Sequence, residues 1–131
     1  MALRAVRIPL QTMAAATDDY TTENIKGQIR KITIISSASN NYKAYALADD
    51  GTTAEEYIIG AVAATVTVNG TAHYYPVIEA NKISDGTAYA EGADKSATRV
   101  PVIIDAPVKI EASAGTASDT WQVVIWYEID S

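Results

Sequence analysis

The sequence predicts an all-β protein, an antiparallel sandwich or barrel of about eight to nine short strands behind an extended N-terminal segment. Three observations predict it. Apolar residues recur at every second position through most of the 131 residues, not at helical spacing. Turn-forming pairs, Asn69-Gly70, Asp50-Gly51 and Asp85-Gly86, punctuate the alternating runs. The apolar and half-polar residues are sheet formers: Val, Ile and Thr abound, with eight tyrosines and no phenylalanine.

The elements follow in order. Residues 3–9 within MALRAVRIPLQ read as a strand. TMAAATDDYTTEN, at 12–24, offers either one helical turn or an extended arm, and we read it as arm. The expected organisation is therefore an N-terminal arm at 1–24 and a single β-sandwich domain at 25–131. Strands are expected at 27–36, 42–48 and 55–60, with Asp50-Gly51 turning between the last two. In VTVNGTAHYY, Asn69-Gly70 predicts a type I′ hairpin, because both central positions of that turn need positive φ. It would place Val68 opposite Thr71 and join strands 61–68 and 71–78. A short strand is expected near 87–90. Strands are expected at 98–104 and 107–113, and Pro101 and Pro107 bracket VIID, which puts this segment at a sheet edge or crossing. Residues 120–129 form the final strand, read as a closing hairpin with 107–113.

Composition narrows the function classes. The chain has no cysteine, which removes disulfides, thiolate metal sites and cysteine nucleophiles. No apolar run is long enough for a membrane helix. Pro9, Gln11 and Thr12 interrupt the N-terminal apolar residues, so no signal peptide is expected. The net charge of −6 is unevenly spread. Arg4, Arg7, Lys26, Arg30 and Lys31 outnumber Asp18, Asp19 and Glu23 in residues 1–31, whereas the rest carries five bases against thirteen acids. Such a body repels a phosphate backbone, and no nucleic-acid partner is expected.

No catalytic, cofactor or metal residue is assigned. The single histidine, His73, alternates with Ala72 and Tyr74 and is expected on the wet face. No strand–turn–helix nucleophile motif, phosphate-binding glycine loop or metal-ligand spacing is present. Glu55 and Glu56 adjoin on a strand and so point to opposite faces. Tyr42, Tyr45, Tyr57, Tyr74, Tyr75 and Tyr89 leave room for a sugar-binding platform, although Tyr74 and Tyr75 face opposite ways.

The stretch WQVVIWYEIDS carries the strongest signal for a partner. Trp121, Val123, Ile125, Tyr127 and Ile129 share one face of its strand, which should lie in the core. The other face holds Gln122, Val124, Trp126 and Glu128. A large aromatic on the wet side calls for a cover, either the arm or another chain.

MALRAVRIPLQ, GAVAATVTVNGTAHYYPV and PVKIEASAGTASDTWQVVIWYEIDS together resemble small bacteriophage virion proteins, especially capsid decoration (cement) proteins with jelly-roll-like β-sandwich bodies. The resemblance is one of style over the whole length. It implies a non-enzymatic structural protein made in the host cytoplasm and placed on the capsid exterior. The implied partners are the major capsid protein and further copies of the chain, a trimer being favoured. Arg4, Arg7, Ile8, Leu10, Val124 and Trp126 are the interface candidates. Two alternatives stay open: a carbohydrate- or host-binding module of a virion fibre, and a head–tail connector or tail subunit.

Overall fold

The computed structural model describes residues 2–60, 64–79 and 99–129. All regular structure among them is strand. The elements are β1 (Ala2–Thr12), β2 (Asp18–Leu47), β3 (Ala54–Ile59), β4 (Val66–Tyr74), β5 (Val77–Glu79), β6 (Arg99–Ser113) and β7 (Thr120–Ile129). Every ladder is antiparallel.

Pairing is organised as long ribbons. Residues 2–29 run antiparallel to 129–102: Ala2 opposes Ile129, Thr12 opposes Thr120, Asp18 opposes Ala112 and Ile29 opposes Val102. On its other side the same β6–β7 ribbon meets residues 28–46, with Gln28 opposite Glu128, Ser36 opposite Trp121 and Ala46 opposite Val108. Those residues in turn carry β4 and β3, with Ile32 opposite Tyr74 and Leu47 opposite Ala54. Short β5 pairs with the start of β6. The ribbons break register near 8–11, 36–40 and 13–17, and the β6–β7 connection at 114–119 lies alongside. Backbone bonds from Met13 to Asp119, from Ser118 to Met13 and from Gly115 to Ala16 tie the two connections together.

The alternation read from the sequence produces the core. Trp121, Val123 and Ile125 are fully buried on one face of β7, while Tyr127 and Ile129 are half-buried towards its end. They pack with Ile32 and Ile34 of β2, Val108 and Ile110 of β6, and Tyr42. The Tyr42 and Trp121 rings lie 5.9 Å apart at 55°, a tilted pair of the favoured kind. Their polar atoms are satisfied. Trp121 Nε1 donates to Asp18 Oδ2 (3.0 Å), and the Tyr42 hydroxyl donates to Ser36 Oγ (2.6 Å), which donates to the Ala38 carbonyl.

Four expectations are corrected. Residues 2–24 are not a free arm. β1 pairs along β7, and Asp18–Asn24 already belong to the ladder with β6, so residue 24 falls inside a strand. Tyr20, Thr22 and Ile25 supply inward side chains that hold it there. Asn69-Gly70 is not a hairpin turn. Gly70 has φ 89° but Asn69 keeps negative φ, and β4 runs straight through both. Val68 opposes Asn40 and Thr71 opposes Ile35, so the glycine serves a register break. Residues 107–113 and 120–129 do not pair with each other. They follow one another along one ribbon, each between two other strands. Finally, 27–36 and 42–48 merge into β2, and 98–104 and 107–113 into β6, which gives seven strands among the described residues. The strand expected near 87–90 lies outside them.

Pro107 sits inside the β6 ladder, opposite Asn24 at a register break. Proline has no N–H to give, and the chain compensates with a side chain. The neighbouring Val108 N–H donates to Thr22 Oγ1 (3.0 Å), and that hydroxyl donates to the Glu23 carbonyl (2.7 Å). Thr22 is 7 % exposed, so Thr22→Val leaves a buried donor without its acceptor. Urea unfolding should show a loss of about 1–3 kcal/mol. A change below about 0.5 kcal/mol would mean that water replaces the hydroxyl.

Candidate interaction surface

One face of the β1–β7–β2–β4 array packs on the core and the other faces outwards. Directly opposed residues share a face. The outward rows are Leu3–Glu128–Gln28 and Ala5–Trp126–Lys31, followed by Arg7–Val124–Thr33–His73. Trp126 is half-buried there, with the Arg7 guanidinium 5.6 Å from its ring centroid. That cation–π contact comes from β1, so part of the tryptophan is covered within the chain. Arg30 Nε lies 3.3 Å from Glu128 Oε1. A shallow concavity of about 440 Å³ is lined by Leu3, Arg30, Lys31, Tyr75, Trp126 and Glu128. Leu3 and Tyr75 are 60 % and 69 % exposed, two of only four large apolar side chains so exposed among the described residues. The surface is thus apolar and cationic on a chain of opposite net charge.

The interface candidates divide. Arg4, Arg7 and Leu10 are exposed, and Val124 and Trp126 are half-buried on the outward rows. Ile8 is 3 % exposed and belongs to the core, because β1 turns its Val6 and Ile8 side chains inwards. Ile8 is therefore withdrawn as an interface residue. Sequence reading missed Leu3, and it named Lys31 and Tyr75 without placing them beside Trp126. Leu3 and Lys31 are ordinary residues of alternating strands and Tyr75 directly follows β4; only the folded sheet brings them together.

The outward side of the β2–β6–β3 region is different. Lys43 Nζ lies 3.6 Å from Glu111 Oε2, and Lys109 Nζ lies 4.0 Å from Asp19 Oδ2. These four charges pair across the β2–β6 ladder. Tyr45 is buried here with its ring 5.1 Å from that of Tyr57. Burial, then the neighbouring Glu111 carboxylate, push the Tyr45 hydroxyl up to about 12. Asp50 accepts bonds from the Thr53 hydroxyl and from the Thr52 and Thr53 amides, which hold it down to about 2. These bonds close the turn after β2.

The features that suggested chemistry have structural partners. His73 Nδ1 lies 2.9 Å from Thr33 Oγ1. Among the described residues, no group of three or more His, Cys, Asp or Glu is arranged to hold a metal ion. Tyr42 and Tyr45 are buried and Tyr57 packs on Tyr45, so the tyrosines do not assemble one exposed platform; Tyr89 lies outside the described residues. No helix of the described residues is long and apolar enough to cross a membrane. No family model, curated protein or solved structure matches the chain.

Proposed function

We propose that this chain is a non-enzymatic structural subunit of a bacteriophage virion, a decoration protein that docks on the outside of the capsid shell through the outward rows of β1, β7 and β2. The observation that carries this reading is the exposed apolar and cationic surface around Trp126, on an otherwise acidic chain. The fold we propose beneath it is a jelly-roll sandwich of two four-stranded layers. Supporting it are the ladder orders 2–12, 120–129, 28–36, 70–74 and 18–29, 102–113, 41–47, 54–59, each continuous with the other at the register breaks. The shared buried cluster supports the same stacking.

The mechanism is linkage. A subunit that binds only the assembled lattice stabilises that lattice by its binding free energy. Repetition over a symmetric shell turns modest contacts into high avidity. Trp126 offers large rigid area at low entropy cost, and Lys31 selects acidic surface beside it. Trp126→Ala should weaken binding to purified shells about tenfold or more while moving the melting temperature little. Full shell occupancy by the variant, with a large fall in melting temperature, would make Trp126 a packing residue and refute the docking role.

A further inference from the structure

We infer that copies of this chain associate head to tail, the Leu3 end of β1 in one copy entering an acidic groove of the next. This rests on the reading of the chain as an assembly subunit and names a second contact of that assembly. Leu3 is 60 % exposed, and exposed Arg4 and Arg7 follow it on the edge strand. Among the described residues neither arginine has a carboxylate within ion-pair distance. Among the described residues β1 pairs only with β7, and none of them pairs with its far edge.

The matching concavity lies between β3 and β6. It measures about 250 Å³ and is lined by Glu55 and Glu56 of β3, residues 102–106 of β6 and Ala46 of β2. Glu55, Glu56 and Asp105 stand on its rim. None of the three has a cationic partner among the described residues; Asp105 accepts a bond from Asn24 Nδ2 (2.7 Å). Ile103, also on the rim, is 72 % exposed. An edge strand that carries exposed Leu3 and two arginines without carboxylate partners thus has, on the same molecule, a concavity beside exposed Ile103 that carries three carboxylates without cationic partners. Leu3 cannot reach its own groove. In the row Leu3–Glu128–Gln28–Ile103, two strands stand between them. The occupant is therefore another copy. The two surfaces differ, so the contact is heterologous and every copy can give and receive one.

A charge swap tests this in solution, without shells. Sedimentation velocity of the wild-type chain should show concentration-dependent association that weakens as salt is raised. Arg4→Glu/Arg7→Glu and, separately, Glu55→Lys/Glu56→Lys should each raise the association midpoint about tenfold or more. An equimolar mixture of the two variants should restore association, because each edge strand then meets a groove of opposite charge. All four positions are at least partly exposed, and an unchanged far-UV spectrum would verify folding. A wild-type chain that stays monomeric, variants that associate normally, or a mixture that stays apart would each overturn the inference. A monomer that still occupies shells would do so while leaving the docking surface intact. Association in solution with no shell binding would instead refute the docking reading.

Discussion

Trp121→Ala should lower stability by about 3–5 kcal/mol and the melting temperature by on the order of 10–20 °C. No other change to β7 should cost as much. Trp121 is fully buried, it is the largest such side chain, and it sits where the ribbons break register. Across it lies Ser36, which receives the Tyr42 hydroxyl, and its own ring tilts against Tyr42. Its indole N–H bonds to Asp18 at the start of β2, so one side chain ties β7, both halves of β2 and the β1–β2 connection. Removing it deletes packing and leaves a cavity that ribbons fixed by long ladders cannot easily close. Trp121→Phe keeps most of the apolar contact and loses the bond to Asp18; it should cost clearly less than the alanine variant. Thermal unfolding of both variants separates the two terms. Equal losses would mean that the hydrogen bond, not the volume, matters.

Gly27→Ala should be nearly as damaging, although it adds a single methyl group. Gly27 has φ 149°, outside the range that other residues readily adopt. A Cβ there would lie 2.2 Å from the Glu128 carbonyl oxygen, a backbone atom that cannot rotate away. Here β2 leaves its ladder with β6 and takes up the one with β7; Gln28 and Ile29 pair on both sides. Relief would require the two strands to part. A loss of more than about 2 kcal/mol is expected in chemical denaturation. Gly70→Ala is the control: φ there is 89°, but among the described residues no atom lies within 4 Å of the added carbon. It should cost about 1 kcal/mol, from backbone strain alone. Equal losses at the two positions would remove the steric explanation.

The strands were legible wherever one face is dry. Val108, Ile110 and Ala112 alternate with Lys109, Glu111 and Ser113, and the buried set is the apolar one. Trp121, Val123 and Ile125 were legible for the same reason. What escaped is what alternation does not encode. Pairing partners lie far apart in the chain, so nothing local shows that residues 2–12 face 120–129. Asp18, Tyr20 and Thr22 alternate too, but the polar atoms of Asp18 and Thr22 find partners only in the assembled sheet. Ser36 to Asn40 reads as a turn by composition, yet β2 continues through it because Ser36 and Asn40 are buried and bonded. Asn69-Gly70 misled because a glycine with positive φ serves a bulge as well as a hairpin. On the surface, Trp126 was legible as an anomaly, but its companions were not. Leu3, Lys31 and Tyr75 meet it only in the folded sheet, and Ile8 was misplaced because an apolar residue on an edge strand looks the same whether it points in or out.

The proposed docking role is tested most directly by hydrogen exchange of the protein mixed with purified capsid shells. The account predicts saturable binding and slowed exchange along β1 and β7, with the turn at Asp50–Thr53 exchanging as in the free protein. Absence of binding, or protection confined to that turn and the β2–β6 outer side while β1 and β7 exchange unchanged, would contradict it.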